Sequence, residues 1–214
     1  VRKSFENLNL LSVTDEEDVK SRGFSRIVEK AMQSVLRLPQ IHGVYGQVRC
    51  AEGQGEFLDR TLKVVNVALD IGGPGRGDIP VDGPLIVVAN HPYGGLEGII
   101  LAKILLAVRK DVRMLANYLL QGVPDLKDLF ISVDPFVSAG PSVRRNVAGL
   151  RGALAWLQKS GALIIFPAGE VAHLQFRKGV VSDPSWTDSV GWLARRTGAT
   201  VFPAFFSGRN STFF

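Results

Sequence analysis

Two runs, "LIVVA" at Leu85–Ala89 and "ALIIF" at Ala162–Phe166, constrain the fold more than any other feature of the chain. Each is continuously apolar, with no polar residue at alternate positions to face water. A strand of that kind must be covered on both faces, as the central strands of a parallel sheet are when helices flank it on both sides. The strand-like runs "VRMLA", "FISVD" and "TVFPAFF" extend the series. Helical spacing fills the gaps at about Leu96–Arg109, Ser142–Lys159 (apolar stripe Val147, Leu150, Leu154, Leu157) and Thr187–Thr197. This alternation predicts an α/β fold: a mostly parallel or mixed sheet flanked by helices.

Ahead of that series, Phe24, Ile27, Val28, Ala31, Val35 and Leu38 recur at helical spacing over Glu16–Leu38, and Pro39 stops the run. Such an amphipathic helix either lies on a membrane surface or packs on the domain's own core, and no sequence feature separates the two. "TLKVVNVALDI", Thr61–Ile71, is rich in β-formers and predicts a strand before the Gly/Pro-dense loop "GGPGRGDIPVDGP". The chain therefore divides into an N-terminal helical segment, 1–50, and a main domain, 51–214. It opens without an initiator methionine and closes at "NSTFF" behind a strand-like run, as part of a longer protein does.

With 214 residues, 46% of them hydrophobic, the chain buries a full core. The net charge of +5 is mild, and its basic excess sits in the C-terminal half, where nine Arg or Lys face Glu170, Asp183 and Asp188 from Gly140 onward. These cations are dispersed, without interleaved aromatics, which argues against nucleic acid. Most of them read as a solvated face. Cys50 is the only cysteine, so no disulfide forms within the chain, in keeping with a reducing compartment. No stretch reaches the roughly 20 apolar residues of a spanning helix, and "VRKSFENLNL" lacks a signal-peptide apolar region.

In open α/β sheets, reactive groups gather beyond the carboxyl ends of the strands. Two loops stand there: "NHPYGGLE" behind "LIVVA" and "AGEVAH" behind "IIFP". His91 is a candidate general base, since imidazole titrates near neutrality. Glu97 is the carboxylate near enough in sequence to hold the ring's other nitrogen, with Gly94 and Gly95 allowing the backbone to turn. The plainer alternative is that His91 and Pro92 end a strand and Glu97 favours the first turn of a helix through its dipole. No GxSxG elbow occurs. Histidines 42, 91 and 173 have no metal-ligand spacing, so no metal site is expected. "GGPGRG" lacks the Lys-Ser/Thr ending of a phosphate loop and reads as a connection.

In order and spacing, "NHPYGGLE", "FISVD", "IIFPAGE" and "TVFPAFF" resemble the four blocks of the glycerolipid and lysophospholipid acyltransferases. The likeness spans about Ile79–Phe214. It is closer to the hemolysin-like branch, related to ornithine-lipid and acyl-amino-acid synthases, in which the first block commonly reads NHP, one residue, GGLDG, the third reads FPAGE, and the ending is similar to "GRNSTFF". Two departures stand out. Five residues separate His91 from Glu97 where the general family has four, and Asp134 occupies the second block where that family carries an arginine. The second departure argues against a phosphate-ester acceptor.

The resemblance implies a glycerolipid-acyltransferase-like fold and direct acyl transfer to a hydroxyl or amine of a lysolipid or amino-acid-type acceptor. The donor would be an acyl carrier protein or coenzyme A thioester, with no bound cofactor. It implies His91 as base and Glu97 as its orienting acid, with substrate contacts from Asn90, Gly94, Gly95, Gly169, Glu170, Arg177 and Lys178. Arg144 and Arg145, with Arg177 and Lys178, suit an acidic carrier surface. It further implies a cytoplasmic protein peripheral to the inner face of the membrane, touching a lipid surface. The apolar run "IILAKILLAV" either forms core or lines an acyl-chain tunnel. A non-catalytic lipid- or acyl-carrier-binding domain of the same fold is the alternative.

Overall fold

The computed structural model describes residues 45–48, 51, 53–73, 76–118, 120, 123–133, 141–175 and 179–208. It divides into two compact units, Val1–Val67 and Ala68–Phe214. The expected amphipathic helix over Glu16–Leu38 lies outside the described residues.

In the first unit, helix α1 (Gln54–Val64) buries Phe57, Leu58, Thr61 and Leu62. Those positions repeat every three to four residues, a helical period. The strand expected from Thr61 is therefore corrected. Thr61 and Leu62 belong to the buried helical stripe, and the Thr61 hydroxyl donates to the Phe57 carbonyl one turn back. The helix stops beyond Val64, and no strand forms before Leu85 among the described residues. Packing of the apolar stripe overrides the β-preference of the valines.

The second unit is built on a five-stranded sheet of β1 (Leu85–Ala89), β2 (Val112–Asn117), β3 (Phe130–Val133), β4 (Ala162–Ile165) and a last strand, Thr200–Ala204, numbered β7. Their order is β3-β2-β4-β1-β7, and every pairing is parallel. The apolar runs are the two central neighbours: every residue of β1 and β4 is buried, and Val87 lies opposite Ile164. Between strands run α2 (Gly95–Leu106), α3 (Pro141–Gln158) and α4 (Ser189–Thr197). A hairpin, β5 (His173–Gln175) with β6 (Val180–Ser182), interrupts the segment after β4 that reads from sequence as loop.

Ile86, Val88, Leu163 and Ile165 on one sheet face pack with Ala153 and Leu157 of α3 and Leu193 of α4. Fully burying a side chain of this size contributes about 1.5–3 kcal/mol. Val147, expected in the α3 stripe, is exposed; Leu150, Ala153, Leu154 and Leu157 form the inward face. On α2, Ile100, Leu101, Ala102 and Leu105 are buried.

One buried cation latches the amino ends of the strands. The Arg109 guanidinium donates to the carbonyls of Pro80, Gly83 and Ser160 and pairs with both carboxylate oxygens of Asp111. All three of its nitrogens donate, Nη2 to three acceptors, and the Asp111 carboxylate balances the charge, the condition under which a buried arginine is tolerated.

Candidate active site

The loops behind β4, β1 and β7 leave three adjacent strands, so their residues converge at the carboxyl end of the sheet. Behind β1, the Asn90 amide grips the backbone behind β7: Nδ2 donates to the Phe206 carbonyl at 2.8 Å and Oδ1 accepts from the Phe206 N–H at 2.8 Å. Tyr93 Oη donates to the Ser207 carbonyl at 2.8 Å. Asn90 is thus a structural clasp between neighbouring loops.

The next residue, His91, is held through its backbone and its ring. Its carbonyl accepts from the Ala172 N–H at 2.9 Å, and its N–H donates to Asp183 Oδ1 at 3.1 Å. The imidazole stacks on Phe166, the residue directly behind β4, with centroids 4.2 Å apart. Gly98, without a Cβ, leaves room for Met114 and Phe166; an added Cβ would come within 3.0 Å of the Met114 sulfur.

Glu97 returns toward His91 because the chain turns sharply at Gly94, whose φ of 89° and ψ of −128° favour glycine. Gly94 is the N-cap of α2, which makes Glu97 the third helical residue, the position from which a glutamate reaches back to the N-cap region. Glu97 Oε1 accepts from the Tyr93 N–H, and the Gly94 N–H also faces the carboxylate. Glu97 Oε2 points at His91 Nδ1, 3.7 Å away. One carboxylate oxygen thus sits at the start of the helix while the other faces the imidazole, a geometry compatible with both alternatives read from sequence. The turn also absorbs the fifth intervening residue.

Glu97 is wholly buried, and the His91 side chain is 17% exposed. Neither Nδ1 nor Oε2 has a hydrogen-bond partner, so each is the group available to the other. Burial pushes the Glu97 carboxyl up to about 7 from 4.5, against the pull of the N–H groups that face it. Burial likewise lowers His91 to about 4, opposed by the negative charge of Asp183. Two groups with pKa values moved by environment, on facing atoms in a loop cluster, are the arrangement that marks a candidate acid-base site. With the proton on Nδ1 directed at an ionised Glu97, Nε2 is left as the basic nitrogen.

The other residues singled out from sequence are placed unevenly. Gly95 opens α2 and is exposed. Gly169 donates its N–H to the Phe166 carbonyl in an exposed turn, and Glu170 beside it is exposed. From this second loop, it is Phe166 and Ala172 that contact His91. Arg177, Lys178 and Asp134 lie outside the described residues, as do the side chains of Arg144 and Arg145. Sequence reasoning missed Phe166 and Asp183. The first stands inside the "IIFPAGE" block as an ordinary-looking aromatic, and the second lies 92 residues from its partner. Among the described residues, no group of His, Cys, Asp or Glu is arranged to hold a metal ion, and no helix is long and apolar enough to cross a membrane.

Known proteins match most of this chain. It is 29% identical over 160 residues to a lyso-glycine lipid O-acyltransferase of Phocaeicola vulgatus, covering 74% of this chain and 54% of that protein. A lyso-glycine lipid O-acyltransferase of Bacteroides thetaiotaomicron is 27% identical over 160 residues, covering 74% and 55%. The chain thus spans about half the length of these curated relatives. No solved structure matches it. The sequence profile of the acyltransferase family matches residues 51–214, which include every strand of the sheet and both halves of the His91–Glu97 pair: the chain belongs to the acyltransferase family.

Proposed function

We propose that this domain transfers a fatty acyl group from a thioester donor to the free hydroxyl of a lyso-lipid built on an amino acid. One observation carries the reading: the unpartnered Nδ1 of His91 faces the unpartnered, wholly buried Oε2 of Glu97. The relatives are O-acyltransferases by name, which supports a hydroxyl as the acceptor over an amine.

In the proposed step, Glu97 fixes the tautomer and His91 Nε2 takes the proton of the acceptor hydroxyl. The oxygen attacks the thioester carbonyl, the C–S bond breaks, and the imidazolium returns its proton to the departing thiolate. Charge develops on the imidazole beside a buried carboxylate, where the attraction is larger than in water. The first turn of α2, around Gly95, offers backbone N–H groups to the developing oxyanion. The donor is acyl carrier protein or coenzyme A, and the basic C-terminal half suits either one. A lipid acceptor brings the protein to the inner membrane surface as a peripheral protein.

The test is release of free thiol from acyl carrier thioester, or from acyl-coenzyme A, by the full chain with a lyso-glycine lipid. Release that depends on the acceptor is expected, with a new ester in the product. His91→Ala is expected to lower the rate by about 10²–10⁴ in a protein that still folds. A folded His91→Ala protein with the original rate excludes His91 as the base, and acylation of an amine excludes the hydroxyl acceptor.

A further inference from the structure

We propose that Asp183 is a positioning residue for the general base: it holds His91 through the backbone and sets the electrostatic balance of the His91–Glu97 pair. The inference rests on the reading of His91 as base and adds a residue that the family motifs do not mark.

The β5–β6 hairpin has its two feet on one residue. Ala172, just ahead of β5, donates its N–H to the His91 carbonyl, and Asp183, just behind β6, accepts the His91 N–H. Both backbone groups of the base are thereby fixed by a single element, whose strands keep the feet in register through His173 opposite Ser182. The second oxygen of Asp183 accepts from Trp186 Nε1 at 3.0 Å, and the following Thr187 N–H donates to the Pro167 carbonyl at 3.0 Å. Asp183 therefore joins the histidine loop to the segment anchored behind β4. A charged acceptor for a backbone N–H is about twice as strong as a neutral one, and its direction fixes the peptide plane that aims the ring.

The charge of Asp183 also reaches both members of the pair, favouring the protonated state of each. Among the described residues, the carboxylate of Glu97 faces His91 and the N–H groups of Tyr93, Gly94 and Glu97 itself, and the charge that acts on it from farther away is that of Asp183. Asp183 thus assists the imidazolium that forms during transfer while delaying the ionisation of Glu97.

These two effects separate positioning from simple scaffolding. Asp183→Asn keeps an oxygen for the His91 N–H and removes the charge. Its plateau rate in thiol release is expected to fall by about tenfold or more, the order of one charge-assisted bond. The acid limb of its pH–rate profile is expected to move to lower pH by roughly half a unit or more. Trp186→Phe, which keeps the charge, is expected to leave the limb in place. A readout independent of any substrate is the ¹³C carboxyl titration of labelled glutamate, in which Glu97 stands apart near neutrality and moves down in Asp183→Asn. If the substrate reading alone is wrong, this titration still shifts. An unmoved Glu97 titration with equal rate loss at every pH overturns the proposal. Should Asp183→Asn not fold, Asp183→Glu carries the test: a lowered plateau with the limb in place supports it, and an unchanged plateau overturns it.

Discussion

Replacing Glu97 by glutamine is expected to make the protein more stable and the enzyme nearly inactive. The stability part follows from burial. A carboxyl with an ordinary value of 4.5, pushed up to about 7 in the folded chain, binds more protons folded than unfolded between those limits. Its ionisation therefore opposes folding: the effect is absent below about 4.5, grows as the pH rises, and is complete above about 7 at about 3 kcal/mol. Glutamine never ionises and keeps an oxygen for the Tyr93 N–H. At pH 8 the variant is expected to melt roughly 6–12 °C higher than the parent, the shift such an energy gives in a chain of this size. At pH 4.5 the two should melt together. The activity part follows from the tautomer. The glutamine NH₂ faces Nδ1 in place of Oε2, so Nδ1 must accept and Nε2 carries the hydrogen, leaving no base. The comparable tautomer error in a Ser-His-Asp triad costs about 10⁴ in kcat. Thermal melts at the two pH values and thiol release decide the matter. A variant that melts lower at pH 8, or that retains a tenth of the parent rate, is incompatible with a buried, ionising Glu97 that orients His91.

The pH dependence of transfer follows from the same pair: the rate should climb through about pH 7 as Glu97 loses its proton, and a profile already flat from pH 5 upward contradicts this. Asn90→Ala removes two 2.8 Å bonds to the Phe206 backbone. It should destabilise the protein by about 1–3 kcal/mol in a denaturant titration, and amide exchange should quicken at 205–208 before it does in β1.

The sheet was legible in the sequence because β1 and β4 are apolar at every position, a pattern few other environments accept. Their neighbour relation, Leu85 beside Ala162, was not, since no local signal tells which of five strands sits in the middle. Helix α1 was misread because Val64 and Val65 carry a strong local preference that packing of Phe57, Leu58 and Leu62 overrules. At the site, His91 and Glu97 were legible because the turn joining them is local and glycine-marked. Phe166 and Asp183 were not, because they meet His91 across the sheet and from a hairpin hidden among polar residues. Glu170, which the family resemblance implies as a substrate contact, is exposed and does not touch His91. Two loops of similar composition lie side by side, yet the ring stacking and the backbone bond come from Phe166 and Ala172.

The latch at Arg109 has a bearing on catalysis that its location hides. Gly83, Asp111 and Ser160 stand at the feet of β1, β2 and β4, so one guanidinium ties three parallel strands at a common starting line. Strands advance about 3.3 Å per residue, and a slip of a single residue at that line would carry Phe166 past His91 by nearly the whole distance that separates their stacked rings. The alignment of His91 is thus gauged from the far end of the sheet, one strand-length below the imidazole. A change in the loops at the carboxyl end leaves that starting line, and with it the height of the histidine, in place.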